Sequence, residues 1–112
     1  MRDHEILRKA ADLIEEEGHC KGGLKRDGRY CALGALAMAA TGDVKNLVSP
    51  ATRALSRYID PEGGGLSSQI TNWNDNKERT ADEVINALRV VAALHDTESE
   101  VEAKPHVHAE VG

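Results

Sequence analysis

Cys31 opens an uncharged decapeptide, Cys31-Ala-Leu-Gly-Ala-Leu-Ala-Met-Ala-Ala40. A thiol at the N-terminal end of a helix is the arrangement that favours a thiolate. A nucleophilic sulfur also needs a base, and the base needs an orienting group. His19 or His4 would supply the base, and Asn74 or Asp75 the orienting group, which makes Cys31, His19 and Asp75 the candidate catalytic set. Three separate segments must converge to build it. The plainer reading outweighs it: Cys31 and Cys20 pack as small apolar thiols in an Ala-rich interior. The two cysteines lie eleven positions apart, and the chain contains neither C-x-x-C nor H-x-x-x-H. A zinc site asks for four ligands with at least one tight pair, so no metal and no cofactor is expected. His106-x-His108 offers two imidazoles on one side of an extended segment, which is too few.

A second constellation is Trp73-Asn-Asp-Asn-Lys-Glu-Arg-Thr80, where Trp73, Asn74, Asp75 and Arg79 would form a ligand- or partner-binding cluster. Turn chemistry accounts for the same residues. Trp73 would plug an aliphatic core, Asn74 and Asp75 would turn the chain by bonding backbone N–H groups, and Arg79 would pair with an acid. The segment is not a calcium loop, because it lacks alternating acids, a central Gly and a bidentate Glu at position twelve. Lys21, Lys25, Arg26 and Arg29 are the one local basic cluster.

Helical periodicity predicts the elements that must position these residues. Ile6, Leu7, Ala10, Ala11, Leu13 and Ile14 make one apolar stripe from about Asp3, a plausible N-cap, to Glu17, with Gly18 closing the helix. Asp27-Gly28 is a two-residue hairpin turn that sets Lys25 opposite Tyr30 and Leu24 opposite Cys31. The decapeptide is apolar on every face and too short for a bilayer, so it predicts a central buried helix. Gly34 within it costs roughly 1 kcal/mol in propensity, which implies a close backbone crossing there.

Ser49-Pro50 is an N-cap with Pro at the first helical position, opening a helix to about Ile59 that presents Ala51, Ala54, Leu55, Tyr58 and Ile59. Leu66, Ile70 and Trp73 suggest a short fourth helix. Thr80-Ala-Asp-Glu83 is a capping box before a final helix to about His95, with Val84, Ile85, Leu88, Val91 and Ala92 on its buried stripe. Trp73 and this last helix are expected to pack against the central one. The expected fold is therefore an all-α bundle of four or five short helices over residues 1–95.

Composition limits the possibilities further. The 112 residues suit one domain, and with 15 Ala, 10 Leu, one Trp and no Phe the core must be aliphatic. The net charge is −5, but residues 96–112 hold five acids and one lysine, leaving 14 acids against 13 bases in residues 1–95. Without a broad basic face, and with Asp82 and Glu83 opening the last helix, nucleic acid is a disfavoured partner. No apolar run reaches the ~20 residues of a membrane span, and Met1 leads into a polar helix pattern rather than an export signal. A cytoplasmic location and no membrane partner are the expectation. In the tail, apolar and polar residues alternate from Glu100 to Val111, so residues 96–112 read as an acidic segment that is flexible or forms an edge strand.

Four motifs recur together in one known group. Gly18-His-Cys20 with Lys21-Gly22, Gly28-Arg-Tyr-Cys31-Ala-Leu-Gly-Ala-Leu36, Trp73-Asn-Asp75 and Arg79-Thr-Ala-Asp-Glu-Val84 resemble an uncharacterised family of short helical proteins from actinobacteria and their phages. The likeness covers about residues 5–93, and His19 stands where the family usually has Trp. It implies the helical fold and a bacterial or phage origin. The expected function is a non-enzymatic cytosolic interaction protein with a host or phage protein as partner. A small enzyme centred on Cys31 is the alternative.

Overall fold

The computed structural model describes residues 2–45 and 49–103, with side chains described as far as residue 96. The chain folds as a helical bundle with one small hairpin: α1 (Asp3–Glu17), β1 (Lys25–Arg26), β2 (Arg29–Tyr30), α2 (Ala32–Thr41), α3 (Pro50–Ile59), α4 (Ser67–Asp75) and α5 (Ala81–Ala103). Among the described residues no helix is long and apolar enough to cross a membrane.

Helix α1 begins one residue earlier than its cap signal suggests. Arg2 is the N-cap, and its backbone N–H donates to Glu5 Oε1 at 2.9 Å, so Asp3 enters the first turn. Its acid there faces the positive end of the helix dipole. The predicted stripe is buried except at Leu13, which is only partly covered, and His4 joins it. Ser49 caps α3 by accepting the Thr52 N–H at 3.1 Å. Thr80 and Glu83 form the expected box at the start of α5, each accepting the other's backbone N–H, at 3.1 and 2.9 Å.

Helix α2 lies in the interior, with Ala32 to Ala37 and Ala39 all buried and Cys31 as its N-cap. It packs on α1, α3, α4 and β2. Two expectations change here. Helix α5 packs principally on α1, with a smaller contact to α3, rather than on α2. The close approach at Gly34 is real, but the neighbour is not a helix: a Cβ at Gly34 would stand 2.0 Å from the Leu24 carbonyl oxygen. The loop entering β1 lies directly on the helix backbone.

Asp27 and Gly28 take the left-handed conformations the hairpin turn demands, φ 53° and 79°, and Lys25 pairs with Tyr30 while Arg26 pairs with Arg29. Cys31 N–H donates to Leu24 O at 3.1 Å. The hairpin is tied to the end of α1 by Tyr30 N–H to Gly18 O and Cys20 N–H to Tyr30 O, both 3.0 Å.

Tyr58 is 46% exposed instead of facing the core, because α3 turns Thr52 and Ser56 inward with Ala51 and Leu55. Buried Ser56 Oγ then donates to the Leu66 carbonyl at 2.8 Å, fixing the connector between α3 and α4, which holds Gly63, Gly64 and Gly65. The larger correction concerns residues 96–103, which continue α5 as helix where the sequence pattern suggested a flexible or extended segment. Extending a helix adds one hydrogen bond per residue with no new nucleation cost. No Gly or Pro interrupts the run from Ala81 to Ala103. Asp96 is held against α1, 3.1 Å from Arg8 Nη2 and 3.7 Å from His4 Nε2. Residues 104–112, including His106 and His108, lie outside the described residues.

Candidate functional site

Beyond the Gly18 cap the chain runs through His19-Cys20-Lys21 past the last turn of α4, where Asn74 is fully buried. Its Oδ1 accepts the Ala32 N–H at 3.0 Å and lies 2.7 Å from His19 Nε2. Its Nδ2 donates to Cys20 O at 3.1 Å and to Asp75 Oδ1 at 3.0 Å. A backbone N–H can only donate, while a carbonyl and a carboxylate can only accept, so the network assigns the amide orientation. It follows that His19 donates from Nε2. All four bonding positions of Asn74 are used, and one side chain joins the α1–β1 loop, the start of α2 and the end of α4. Asp75 Oδ1 extends the tie by accepting the Gly22 N–H at 3.1 Å, and Lys21 Nζ donates to Asn76 O at 2.7 Å.

The three segments named by Cys31, His19 and Asp75 therefore do meet, but with different roles. Cys31 is 1% exposed, and its Sγ accepts the Gly34 N–H at 3.2 Å. Burial pushes its thiol above the ordinary cysteine range, and the opposing N–H groups of Gly34 and Leu33 do not offset this. Desolvation thus outweighs the helix terminus, contrary to the lowering expected from position alone. Burial also raises Cys20, whose Sγ lies 3.4 Å from Arg29 O. Among the described residues, neither thiol is hydrogen-bonded to an imidazole. His4 is engaged with Asp96.

The second constellation is rearranged as well. Trp73 packs against the core but is only half-buried there, and Asn74 takes the fully interior position. Helix α4 runs on through Asp75, so Asn74 does not turn the chain; it bonds across 42 residues to Ala32. The Arg79 guanidinium lies 4.4 Å above the Trp73 ring, its Nε donates to Trp73 O at 3.1 Å, and Nη1 pairs with Glu83 at 3.3 Å. Residues 76–80 make the corner, with Glu78 N–H donating to Asn76 Oδ1 at 2.9 Å.

Between this corner and the hairpin is an open concavity of about 460 Å³, lined by His19, Cys20, Lys21, Arg26, Arg29 and Arg79, with Asp27 as the lining carboxylate. Arg26 and Arg29 were legible as basic residues, but not as members of a site. The available signal was the Asp27-Gly28 register, which places them opposite each other on one face. Lys25 leaves the cluster, its Nζ lying 5.0 Å from the Tyr30 ring centre on the other face. Among the described residues, no group of three or more His, Cys, Asp or Glu side chains is placed to hold a metal ion.

No curated protein and no solved structure matches the chain. A family model described as a family of unknown function matches residues 1–94, a stretch that contains α1 to α4, the hairpin, the packed part of α5 and every residue of the site. The chain therefore belongs to the DUF6197 family.

Proposed function

We propose that this protein is a non-enzymatic interaction protein that binds a protein partner through the face formed by the hairpin and the α4–α5 corner. The observation that carries the reading is how the reactive groups are used. The Cys31 sulfur caps a helix inside the core, and Asn74 has every bond committed. What stands outside this brace is a rigidly mounted surface of arginines, Trp73 and Asp75. Buried polar networks of this kind specify one geometry, which suits a docking surface. A cytoplasmic setting, an origin in actinobacteria or their phages, and a host or phage protein as partner belong to the same proposal; they rest on the motif resemblance and on the free thiols, which suit a reducing compartment.

The competing reading is a small enzyme centred on Cys31. Alkylation of the native full chain at pH 6 separates the two. Cys31 should label at the slow rate of a buried thiol and accelerate only on unfolding; rapid labelling in the native state refutes the present reading. The positive arm compares the full chain with Arg79→Ala, matched for melting temperature, in capture from a bacterial or phage-infected lysate. A protein retained by the first and lost by the second, which then rebinds saturably when purified, is expected. Equal recovery on both removes the face from the proposal.

A further inference from the structure

Arg26 and Arg29 are directly opposed across the hairpin, so both side chains leave the same face. Like charges in that position repel, and a hairpin with two residues per strand has few cross-strand contacts to offset them. Among the described residues no carboxylate forms an ion pair with either. Arg26 Nη1 donates to Lys21 O at 3.1 Å, and among the described residues Arg29 has no side-chain hydrogen bond or ion pair. The backbone under both stems is thinned. A Cβ at Gly23 would stand 3.1 Å from Arg26 Cγ, one at Gly22 3.2 Å from Arg26 Nη1, and one at Gly18 3.0 Å from Arg29 Cγ. Three glycines thus leave room for two arginines to lie along the loop. A tight turn at Asp27-Gly28 needs neither the like-charge pair nor the space beneath it. A local conflict that no paired carboxylate offsets is where function is expected.

We infer that this concavity is the docking site for an acidic segment of the partner protein, a stretch with two or more neighbouring carboxylates gripped by Arg26, Arg29 and Lys21. The inference rests on the interaction reading above and supplies the chemistry of its partner. The lining carries Lys21, Arg26, Arg29 and Arg79, the last of them paired with Glu83, and its one carboxylate is Asp27, on a body of residues 1–95 in which acids outnumber bases by one. Guanidinium forks match carboxylates two bonds at a time. The broad mouth admits an extended chain, whereas a single small anion would leave most of the volume to water. Nucleic acid fits less well. No Trp or Tyr ring lines the concavity, its one imidazole, His19, is tied to Asn74, and the Trp73 face is covered by Arg79, so a base would find little to stack on.

The test is a titration of the isotope-labelled full chain with a capped hexaglutamate peptide, followed by backbone amide shifts, with hexaglutamine as the reference. Saturable shifts over residues 18–30 and 74–79 are expected with hexaglutamate only. Binding should weaken by about tenfold or more in Arg26→Glu/Arg29→Glu, and by a similar factor on raising salt from about 50 to 300 mM. The charge-matched pair Lys9→Glu/Lys45→Glu should bind within about threefold of wild type. If the reversed pair does not fold, Arg26→Gln/Arg29→Gln takes its place. The inference is overturned by absent saturation, by equal weakening in the control pair, by a thymidine oligonucleotide binding more tightly at the same amides, or by inorganic phosphate reproducing the shifts at equal affinity. A lysate partner that depends on Arg79, found with no hexaglutamate binding, would overturn only the acidic chemistry and leave the interaction reading in place.

Discussion

Removing the Asn74 side chain tests the central brace most directly. In Asn74→Ala, two backbone groups lose their partners, the buried Ala32 N–H and the half-buried Cys20 carbonyl. An unsatisfied buried group costs about 1–3 kcal/mol. His19 and Asp75 lose bonds too, but both stand nearer to solvent and can recover water, so they add little. The expected loss is about 3–5 kcal/mol, a large part of the ~5–15 kcal/mol of a typical domain. Urea unfolding followed by helix circular dichroism gives the number, and amide exchange gives the location. Ala32, Tyr30 and Gly22 amides should lose protection first, since their bonds hold the loop and hairpin to the helices. Asp75→Asn should cost under about 1 kcal/mol, because the exposed residue keeps an oxygen for the Gly22 N–H. A loss below about 1 kcal/mol in Asn74→Ala, with hairpin amides still protected, refutes the reasoning: the loop would then be held by packing alone.

Gly34→Ala should destabilise by about 2–3 kcal/mol or more despite Ala's better helix propensity, because the new Cβ meets a backbone carbonyl that cannot step aside; an unchanged melting temperature would remove the close approach to Leu24. Leu88→Ala, at a fully buried position on α5, should cost about 2–5 kcal/mol by leaving a cavity, measured by urea denaturation. Thr80's backbone N–H holds Glu83 below the ordinary glutamate range, and Arg2's does the same for Glu5. A carboxyl lowered on folding stabilises above its unfolded value and loses that contribution as pH falls through the folded one. Melting temperature should therefore decline as pH drops below about 4.3, less steeply in Glu83→Gln; parallel pH profiles would dismiss the cap as the source.

Where signals are local, the sequence alone determined the outcome. The caps at Ser49 and Thr80, the stripe of α1 and the Asp27-Gly28 turn act within four residues of themselves, and each produced the predicted element. The uncharged decapeptide needed no neighbour to announce burial, since it has no polar face to offer water. Even so, local rules stop early at helix ends. They ended α5 at His95, although nothing before Pro105 forces an end.

Only the tertiary structure decided which of two adjacent residues goes inside. Hydrophobicity assigns Trp73 to the core and Asn74 to a turn; the fold leaves Trp73 half-buried against the core and takes Asn74 fully inside, because three of the four Asn74 bonds go to partners 42 to 55 positions away. A buried amide is tolerable only with those partners present, and their arrival depends on how α1, α2 and α4 pack. The same applies to Cys31, where helix position argued for a thiolate and the surrounding apolar packing made the thiol win. The cationic concavity is the third such case. Its arginines are visible in the chain, but their convergence with Arg79 arises only when the hairpin is pinned beside α4.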